Sequence, residues 1–216
     1  MSNIATTIEL PETKRKLVDA GVKLMRLKGF HATSVDEICS AAGVTKGGFF
    51  HYFKSKEDLA HTAANYFRGL RRARFDEAPF RKLADPLDRV FGRLEFTKEV
   101  FTSPSPLADG CLIGMFAQEV ASTNPELRQL CEDSFQHTAQ DFEKDLVEAK
   151  ALYAPKADFD PRKLAFMYIS IYQGSKMIAK ALESRTVLAD NLDQFRHCLE
   201  NLFGRKPVRK TGRSKK

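Results

Sequence analysis

Residues 33–59 read TSVDEICSAAGVTKGGFFHYFKSKEDL, and this stretch decides the fold. Ser34 and Glu37 have the spacing of a capping box, in which a serine hydroxyl and a glutamate carboxylate each satisfy a free backbone N–H at the start of a helix. The pattern predicts a short helix that Gly43 ends, followed by a second short helix over about 46–52. Two short helices joined by a glycine turn predict a helix-turn-helix, whose second helix can lie in the major groove of DNA.

The glycine pair Gly47 and Gly48 is unusual inside a predicted helix, because each glycine costs about 1 kcal/mol relative to alanine. Two glycines in so short a helix are explained if its backbone must approach another molecule closely, and DNA is the natural candidate. An ordinary helical hairpin with a glycine-rich loop explains the capping residues, but not the glycine pair followed by aromatic and basic residues. The side chains predicted to contact DNA are His51, Tyr52 and Lys56 at phosphates and Thr45 and Lys46 at base edges.

The rest of the chain is predicted to form helices joined by short breaks. Apolar residues recur at three- and four-residue steps from Pro11, a long helix begins near Ser55, and no segment alternates convincingly as a strand. Further helices are predicted over about 84–102, 111–121, 125–151, 161–184 and 190–203. The predicted fold class is therefore all-α, with an N-terminal three-helix helix-turn-helix domain over 11–58, a larger helical domain over 59–204 for ligand binding and dimerisation, and a basic tail over 205–216.

Charge divides the chain into a basic first third and an acidic remainder. The formal net charge of the 216 residues is +7. Residues 205–216 hold seven Lys and Arg and no acid, residues 1–83 hold six more basic than acidic groups, and residues 84–204 hold six more acidic than basic groups. This polarity suits a chain with one end facing phosphates, although chance asymmetry explains it equally well. The tail is predicted to be disordered because it has almost nothing to bury, and it either adds sequence-independent DNA affinity or has no role.

Several function classes are disfavoured by what the sequence lacks. It has no run of eighteen apolar residues and no apolar signal core near Met1, so we predict a cytoplasmic protein that does not span a membrane. The four cysteines are Cys39, Cys111, Cys131 and Cys198. Their wide spacing predicts reduced thiols, and His137 and His197 lack companion ligands, so neither a metal nor a cofactor is predicted. No HExxH motif, phosphate-binding loop or Ser–His–Asp spacing occurs, so we predict that the protein is not an enzyme and has no catalytic residues.

The segment from about 14 to 60 resembles the DNA-binding domain of the TetR/AcrR family of bacterial transcription regulators. The resemblance rests on the spacing of the two short helices and on the run HYFKSKEDL, and the plan of a three-helix head and a longer helical body is similar too. It implies that Thr33 and Ser34 contact the DNA backbone and that Lys56 caps a phosphate. The recognition element that it implies is Thr45, Lys46, Gly47, Gly48, His51 and Tyr52. Phe50 departs from the family, which most often has a tyrosine there, so a hydroxyl is lost while the ring can still pack.

The resemblance also implies a function: a transcription regulator, most often a repressor, that a small-molecule effector releases from a pseudo-palindromic operator in double-stranded DNA. It further implies a homodimer formed through the last two long helices. The apolar density of 164–178 and 192–203 agrees with such an interface, although packing within the monomer would also account for it. The long helix from Ser55 joins the head to the body and is the predicted lever between the two states.

Residues 109–119, DGCLIGMFAQE, resemble the G-C-L-(I/L)-G stretch of a TetR subgroup that includes sensors of reactive electrophiles and unsaturated small acids. By this resemblance Cys111 opens the helix that lines the effector pocket, where the helix dipole favours its thiolate. Cys111 is then either an electrophile or redox sensor or a small buried core residue. Tyr168, Tyr172 and Lys176 share one helix face and would suit an anionic or carbonyl ligand with an apolar body. The predicted pocket residues are Cys111, Met115, Phe116, Tyr168, Tyr172, Gln173 and Lys176.

Overall fold

A computed structural model describes residues 10–103, 110–184 and 186–205. These residues form nine α-helices and one 3₁₀ turn and contain no strand, which confirms the all-α fold class. The helices are α1 Glu12–Lys28, α2 Val35–Ala42, α3 Lys46–Tyr52, α4 Lys56–Asp76, α5 Pro86–Thr102, α6 Leu112–Glu119, α7 Pro125–Tyr153, α8 Pro161–Ala181 and α9 Thr186–Leu202. The 3₁₀ turn Pro79–Lys82, which the sequence did not predict, lies between α4 and α5.

The first three helices form the predicted head, and their ends follow local signals in the sequence. The Ser34 hydroxyl accepts the Glu37 N–H at 3.2 Å, and the Glu37 carboxylate accepts the Ser34 N–H at 2.9 Å, so the capping box is confirmed. Gly43 follows the last residue of α2 with a φ of +64°, as the turn between α2 and α3 requires. Ile38 and Phe49 are fully buried and join α2 and α3 to the apolar core of the head.

Helix α4 joins the head to the rest of the chain. The Ser55 hydroxyl caps its first turn by accepting the Asp58 N–H at 3.3 Å. Leu59 packs so closely on α1 that a Cβ at Gly21 would lie 2.5 Å from its Cδ2 atom. The same apolar cluster continues from α4 to Phe116 of α6. Hydrophobic packing therefore runs through the predicted boundary between residues 58 and 59, and α4 contributes to both units.

A second apolar cluster lies in the body, where α5, α7, α8 and α9 meet. Its buried side chains include Leu94, Phe142, Tyr168, Leu192 and Phe195. Beside this cluster Arg93 is 1% exposed, and its Nη2 atom lies 2.7 Å from Asp141 Oδ2. Burial raises the pKa of Asp141, but hydrogen bonds and ion pairs from Arg81 and Arg93 outweigh it and hold that pKa well below its usual range. The ion pairs thus fasten α5 and the 3₁₀ turn to α7.

The turn between α8 and α9 differs from the sequence prediction. Helix α8 ends at Ala181 rather than at 184, and α9 begins at Thr186 rather than near 190. The Ser184 N–H donates to the Ala179 carbonyl at 3.0 Å, and Glu183 has a φ of +50°. A left-handed residue ends helices of this kind, and it is usually glycine. The sequence has no glycine here, so nothing local marked the end of the helix.

The predicted basic tail begins with a residue that the structure describes. Arg205 Nη1 lies 2.6 Å from Asp88 Oδ1, and the Arg205 guanidinium lies 5.5 Å from the centroid of the Phe91 ring. These contacts attach the start of the tail to α5. The prediction of disorder falls on residues 206–216, which lie outside the described residues.

Candidate functional site

One face of α3 is open to solvent. Gly47, Phe50 and His51 share this face at helical spacing, and all three are exposed. Phe50 is 52% exposed, and its ring still packs edge-on against the Phe49 ring, with 5.2 Å between centroids. The opposite face holds Phe49, which is buried and anchors α3 in the head. The His51 ring meets the half-buried Tyr52 ring edge-on, with 4.8 Å between centroids, so part of the predicted recognition element forms one surface.

Thr45 and Lys46 lie at the start of this face. Thr45 is exposed, and its hydroxyl oxygen accepts the Gly48 N–H at 3.1 Å, which caps α3. Lys46 Nζ lies 2.9 Å from Asp36 Oδ1 of α2, and the hydrogen bond and charge of Asp36 raise the pKa of Lys46. Both side chains are exposed, and ion pairs in water contribute little to stability. The Lys46 ammonium can therefore leave Asp36 and bind a phosphate with little loss of free energy.

The two glycines of α3 have different surroundings. A Cβ at Gly47 would meet nothing nearer than Thr45 Oγ1 at 3.9 Å, whereas a Cβ at Gly48 would lie 2.7 Å from Val44 Cγ1. Packing inside the head therefore accounts for Gly48 but not for Gly47. Close approach to another molecule, which the sequence analysis invoked for the pair, is needed only for Gly47.

Thr33 and Lys56 face the turn between α1 and α2. Thr33 is fully buried, and its hydroxyl donates to the Gly29 carbonyl at 2.7 Å. Lys56 Nζ donates to the carbonyls of Phe30 and Thr33, both at 2.9 Å, and lies 4.2 Å from the centroid of the Phe30 ring. Because these groups hold the turn itself, neither residue belongs to the DNA contacts that we propose below. Ser34 remains exposed at the start of α2.

Most of the predicted pocket residues meet where α6 approaches α8. Cys111 is the residue before α6, and Gln173 Nε2 of α8 lies 3.4 Å from its Sγ atom. Lys176 Nζ donates to the Gly110 carbonyl at 3.3 Å and lies 4.7 Å from the centroid of the Tyr172 ring. The start of α6 is thus bound to α8 by a thiol, an amide and an ammonium.

Cys111 is 5% exposed and lies among cationic groups. Burial by itself raises the pKa of its thiol, but the Lys176 ammonium, the Arg71 guanidinium and the Gln173 amide together lower that pKa below its usual value. Burial instead raises the pKa of the Cys131 thiol to about 11. Of these two buried thiols, the surroundings favour the thiolate only at Cys111.

Arg71 of α4 is a member of this group that the sequence analysis missed. Its Cζ atom lies 5.5 Å from the centroid of the Tyr172 ring, which in turn stacks on the Tyr168 ring at 6.5 Å. The Tyr168 and Thr97 hydroxyls lie 2.8 Å apart and are buried, so the phenol is fixed by α5. The only signal for Arg71 was the basic run RGLRRAR at 68–74, which says nothing about a contact with α8.

Phe116, another of the predicted pocket residues, lies apart from this group. It is fully buried, and its ring meets the Phe30 ring edge-on with 5.9 Å between centroids. Phe116 therefore packs in the junction between the head and the body, because its helix turn faces α1. Met115 beside it is half-buried. Gly114 faces α8, where a Cβ would lie 2.4 Å from Gln173 Oε1.

Helix α6 also makes polar contacts with the head near both of its ends. At its last residue, the Glu119 carboxylate accepts the His31 N–H at 3.1 Å. Just before its first residue, the Gly110 carbonyl accepts a hydrogen bond from Arg26 Nε of α1 at 3.2 Å. The Cys111 group and the head are therefore joined through a helix of eight residues.

No group of three or more His, Cys, Asp or Glu side chains in the described residues is arranged to hold a metal ion. The four cysteines are free thiols, and Cys198 is the exposed one among them. Within the described ranges, no helix is both long and apolar enough to cross a bilayer.

Two protein families match the chain in sequence. Residues 17–63 match bacterial regulatory proteins of the tetR family. Residues 86–195 match the tetracyclin repressor-like C-terminal domain. The first match covers most of the head and the start of α4, and the second covers most of the body.

Individual relatives extend over nearly the whole chain. It is 32% identical over 205 residues to the transcriptional regulator AcuR of Cereibacter sphaeroides, covering 91% of this chain and 86% of that protein. It is 26% identical over 189 residues to the HTH-type transcriptional repressor DhaR of Mycobacterium sp. strain GP1, covering 84% and 87%. The crystal structure of a TetR transcriptional regulator from Chloroflexus aurantiacus is similar with a TM-score of 0.75 at 26% identity, covering 87% and 94%. The chain therefore belongs to the TetR family and is a DNA-binding transcription regulator with an N-terminal helix-turn-helix.

Proposed function

We propose that the protein is a repressor that leaves its operator when a small-molecule effector binds the body. The observation that carries the proposal is the open face of α3, where the backbone at Gly47 is unobstructed and polar side chains surround it. A backbone exposed in this way fits closely against DNA, while the surrounding side chains reach phosphates and base edges. The proposed DNA contacts are Ser34, Thr45, Lys46, Gly47, His51 and Tyr52.

The operator-binding species that we propose is a homodimer formed through α8 and α9. Met167 and Ile178 of α8 are 44% and 42% exposed, Leu182 just after α8 is 64% exposed, and Leu202 of α9 is 36% exposed. Large apolar side chains gathered on adjacent helices favour an interface, and a twofold dimer would bury them against the same surface of the partner. Two heads related in this way can reach successive major grooves, about 34 Å apart.

Effector release is proposed to pass through α6 and α4. Helix α6 has Cys111 and its α8 neighbours at one end and the Glu119–His31 contact at the other. A ligand that moves the start of α6 would strain the Glu119–His31 hydrogen bond and the Arg26–Gly110 hydrogen bond, and so change the position of the head. Helix α4 carries Arg71 beside the same group and continues into the head. Both helices can therefore shift the balance between a DNA-binding and a released state.

A gel shift on DNA tiled across the intergenic region upstream of the gene tests this function. The purified protein should retard one segment at a salt concentration at which unrelated DNA of the same length stays free, because non-specific binding is lost first as salt rises. Transcription from the retarded promoter should fall when the protein is added. The proposal is wrong if no tiled segment is retarded, and the sign of regulation is wrong if transcription rises.

Sensing of thiol-reactive compounds through Cys111 is a second candidate function. The observation that favours it is the pKa of Cys111, which lies below its usual value because Lys176, Arg71 and Gln173 outweigh the effect of burial. A thiolate is the nucleophilic form of cysteine. Any group added to this sulfur would enter the contact between α6 and α8, where Gln173 Oε1 would lie 2.4 Å from a Cβ at Gly114. Alkylation would therefore displace the Gln173 side chain and push α6 away from α8.

A Lys176→Gln protein should lose about tenfold in the rate of Cys111 alkylation at neutral pH, which corresponds to about one pKa unit. The reason is that the Lys176 ammonium is the largest of the influences that lower the pKa of this thiol. Iodoacetamide labelling followed by mass spectrometry over a range of pH gives the midpoint for each cysteine. The exposed Cys198 in the same molecule serves as the internal reference.

The sensor function itself is tested by repeating the gel shift with N-ethylmaleimide. Loss of DNA binding in the parent protein together with retention in a Cys111→Ser protein would support it. A Cys198→Ser protein is the matched control and should respond like the parent. If Cys111→Ser also loses binding, or if the pH midpoint of Cys111 does not move in Lys176→Gln, the second candidate is wrong and the first stands.

A further inference from the structure

A cleft of about 730 Å³ opens between α4 and α7. Five arginines and three aspartates line it, together with apolar side chains, and the seven residues predicted for the effector pocket are not in its lining. The predicted effector pocket therefore does not explain the charged groups in this cleft.

The aspartates of the cleft are matched to only some of the arginines. Asp141 forms ion pairs with both Arg81 and Arg93, and Asp76 lies 3.4 Å from Arg72. These contacts neutralise charge within the structure, and the two pairs of Asp141 tie α5 and the 3₁₀ turn to α7. Two arginines of the lining take no part in these ion pairs.

Arg68 and Arg71 are the remaining two, one helical turn apart on α4. Among the described residues, each has a neutral hydrogen-bond acceptor: Arg68 Nη1 lies 3.4 Å from Asn65 Oδ1, and Arg71 Nη1 lies 3.3 Å from Thr138 Oγ1. The third aspartate, Asp133, accepts a hydrogen bond from the amide of a neighbouring glutamine instead. A guanidinium has five N–H donors in a planar fork that matches a carboxylate or phosphate.

The arginines of the cleft also act on a neighbouring imidazole. His137 of α7 also lines the cleft. Burial lowers the pKa of His137, and the charges of Arg72 and Arg68 lower it further against the opposing effect of Asp141. Removing a cation partly from water without an ion-pair partner costs free energy, so binding an anionic ligand beside it would recover part of that free energy.

The walls of the cleft suit an organic molecule rather than a bare ion. Tyr66, Leu70 and Phe75 belong to the lining, and the Phe75 ring lies 5.5 Å from Arg71 Cζ. On its other side Arg71 lies against Tyr172, next to the Cys111 group. A ligand held by Arg71 would therefore affect α4 and the α6–α8 contact together.

We propose that the cleft binds an organic oxyanion, a carboxylate or phosphate ester on a small apolar body, with its acidic group held between Arg68 and Arg71. The inference deepens the proposed function, because it names the chemical class of the effector. It rests on that function only for the consequence of binding, since binding itself can be measured without DNA.

The test measures thermal stabilisation and calorimetric binding of matched probes to the full-length protein. The oxyanion probes are benzoate, hexanoate and phenyl phosphate, and the neutral probes are benzamide and hexanamide. At least one oxyanion should bind about tenfold or more tightly than its neutral counterpart, the ratio expected when a charge-assisted hydrogen bond is gained. Phenyl phosphate against benzoate distinguishes a phosphate ester from a carboxylate.

The variants Arg68→Gln and Arg71→Gln should each weaken binding of that oxyanion at least about tenfold while leaving binding of the neutral probes unchanged. Arg74→Gln is the matched control, since Arg74 is exposed on the same helix and does not line the cleft. The inference is overturned if no oxyanion binds better than its neutral counterpart, or if both glutamine variants bind it like the parent. Gel shifts on the same samples separate the two proposals: an oxyanion that binds through these arginines without releasing DNA leaves the site intact and refutes only its role as an effector site.

Discussion

A Gly47→Leu protein is expected to fold at least as stably as its parent and yet to lose about 100-fold in operator affinity, or ~3 kcal/mol per dimer. Folding should not suffer, because a side chain at Gly47 points to solvent with 3.9 Å to its nearest neighbour, Thr45 Oγ1. Leucine also favours a helix over glycine by up to ~1 kcal/mol. The affinity should fall because the added side chain stands between the α3 backbone and the DNA, once in each half-site. Urea unfolding and gel shifts on the same sample measure the two effects.

A Gly69→Leu protein is the matched control for this result. Gly69 lies inside α4, where it lines the cleft, and a Cβ there would meet no atom within 4 Å, so a leucine at Gly69 and a leucine at Gly47 should have similar local effects on folding. This variant should keep the operator affinity of the parent in the absence of added ligand. Equal operator affinity for Gly47→Leu and its parent would show that the open face of α3 does not lie against DNA, and would remove the main support for the proposed contacts.

A Gly29→Ala protein should lose ~3 kcal/mol or more of its free energy of unfolding. Gly29 has a φ of +96° and a ψ of 167°, a combination that essentially only glycine adopts. A Cβ there would also lie 2.2 Å from Glu119 Oε1. The carboxylate would have to move and give up the hydrogen bond that it accepts from the His31 N–H. Urea unfolding followed by circular dichroism measures the loss.

The control for this prediction is Gly43→Ala, since Gly43 also has a positive φ, +64°, but would place its Cβ in open space. Its cost should be only the left-handed conformation of an alanine, ~1 kcal/mol. A double variant with Glu119→Ala separates backbone strain from the collision, because removing the carboxylate should restore only the collision part. If Gly29→Ala and Gly43→Ala unfold at the same urea concentration, the close approach of α6 to the head is wrong.

The head could be predicted from the sequence because the interactions that define it are local. The Ser34–Glu37 capping box, the left-handed Gly43 and the Thr45 cap each join residues that lie within four positions of one another. Backbone N–H groups at a helix start must be satisfied nearby, so the sequence there predicts both the element and its limits. The roles of residues at the DNA face were less predictable. Exposure could not be derived from spacing alone: the Phe50 ring packs edge-on against Phe49, as its apolar character allowed, yet the residue is 52% exposed.

The body shows which features only the tertiary structure decided. Phe116 packs against Phe30 of a distant turn, a contact that its position in the sequence did not indicate. The basic run at 68–74 gave no means of separating Arg71, which reaches Tyr172, from Arg74, which is exposed. Such contacts depend on how helices far apart in the sequence cross.

Sequence alone therefore determined that this protein is all-α, that its head is a helix-turn-helix and that Cys111 lies at the start of a helix. Tertiary structure decided that Gly47 rather than Gly48 is open for contact, that Thr33 and Lys56 hold a turn, and that two of the arginines lining the cleft lack a matching acid among the described residues. The physical reason is the distance along the sequence over which each interaction acts. Caps and turns are satisfied within a few residues, whereas burial, ion pairing and pKa depend on side chains that only the folded chain brings together.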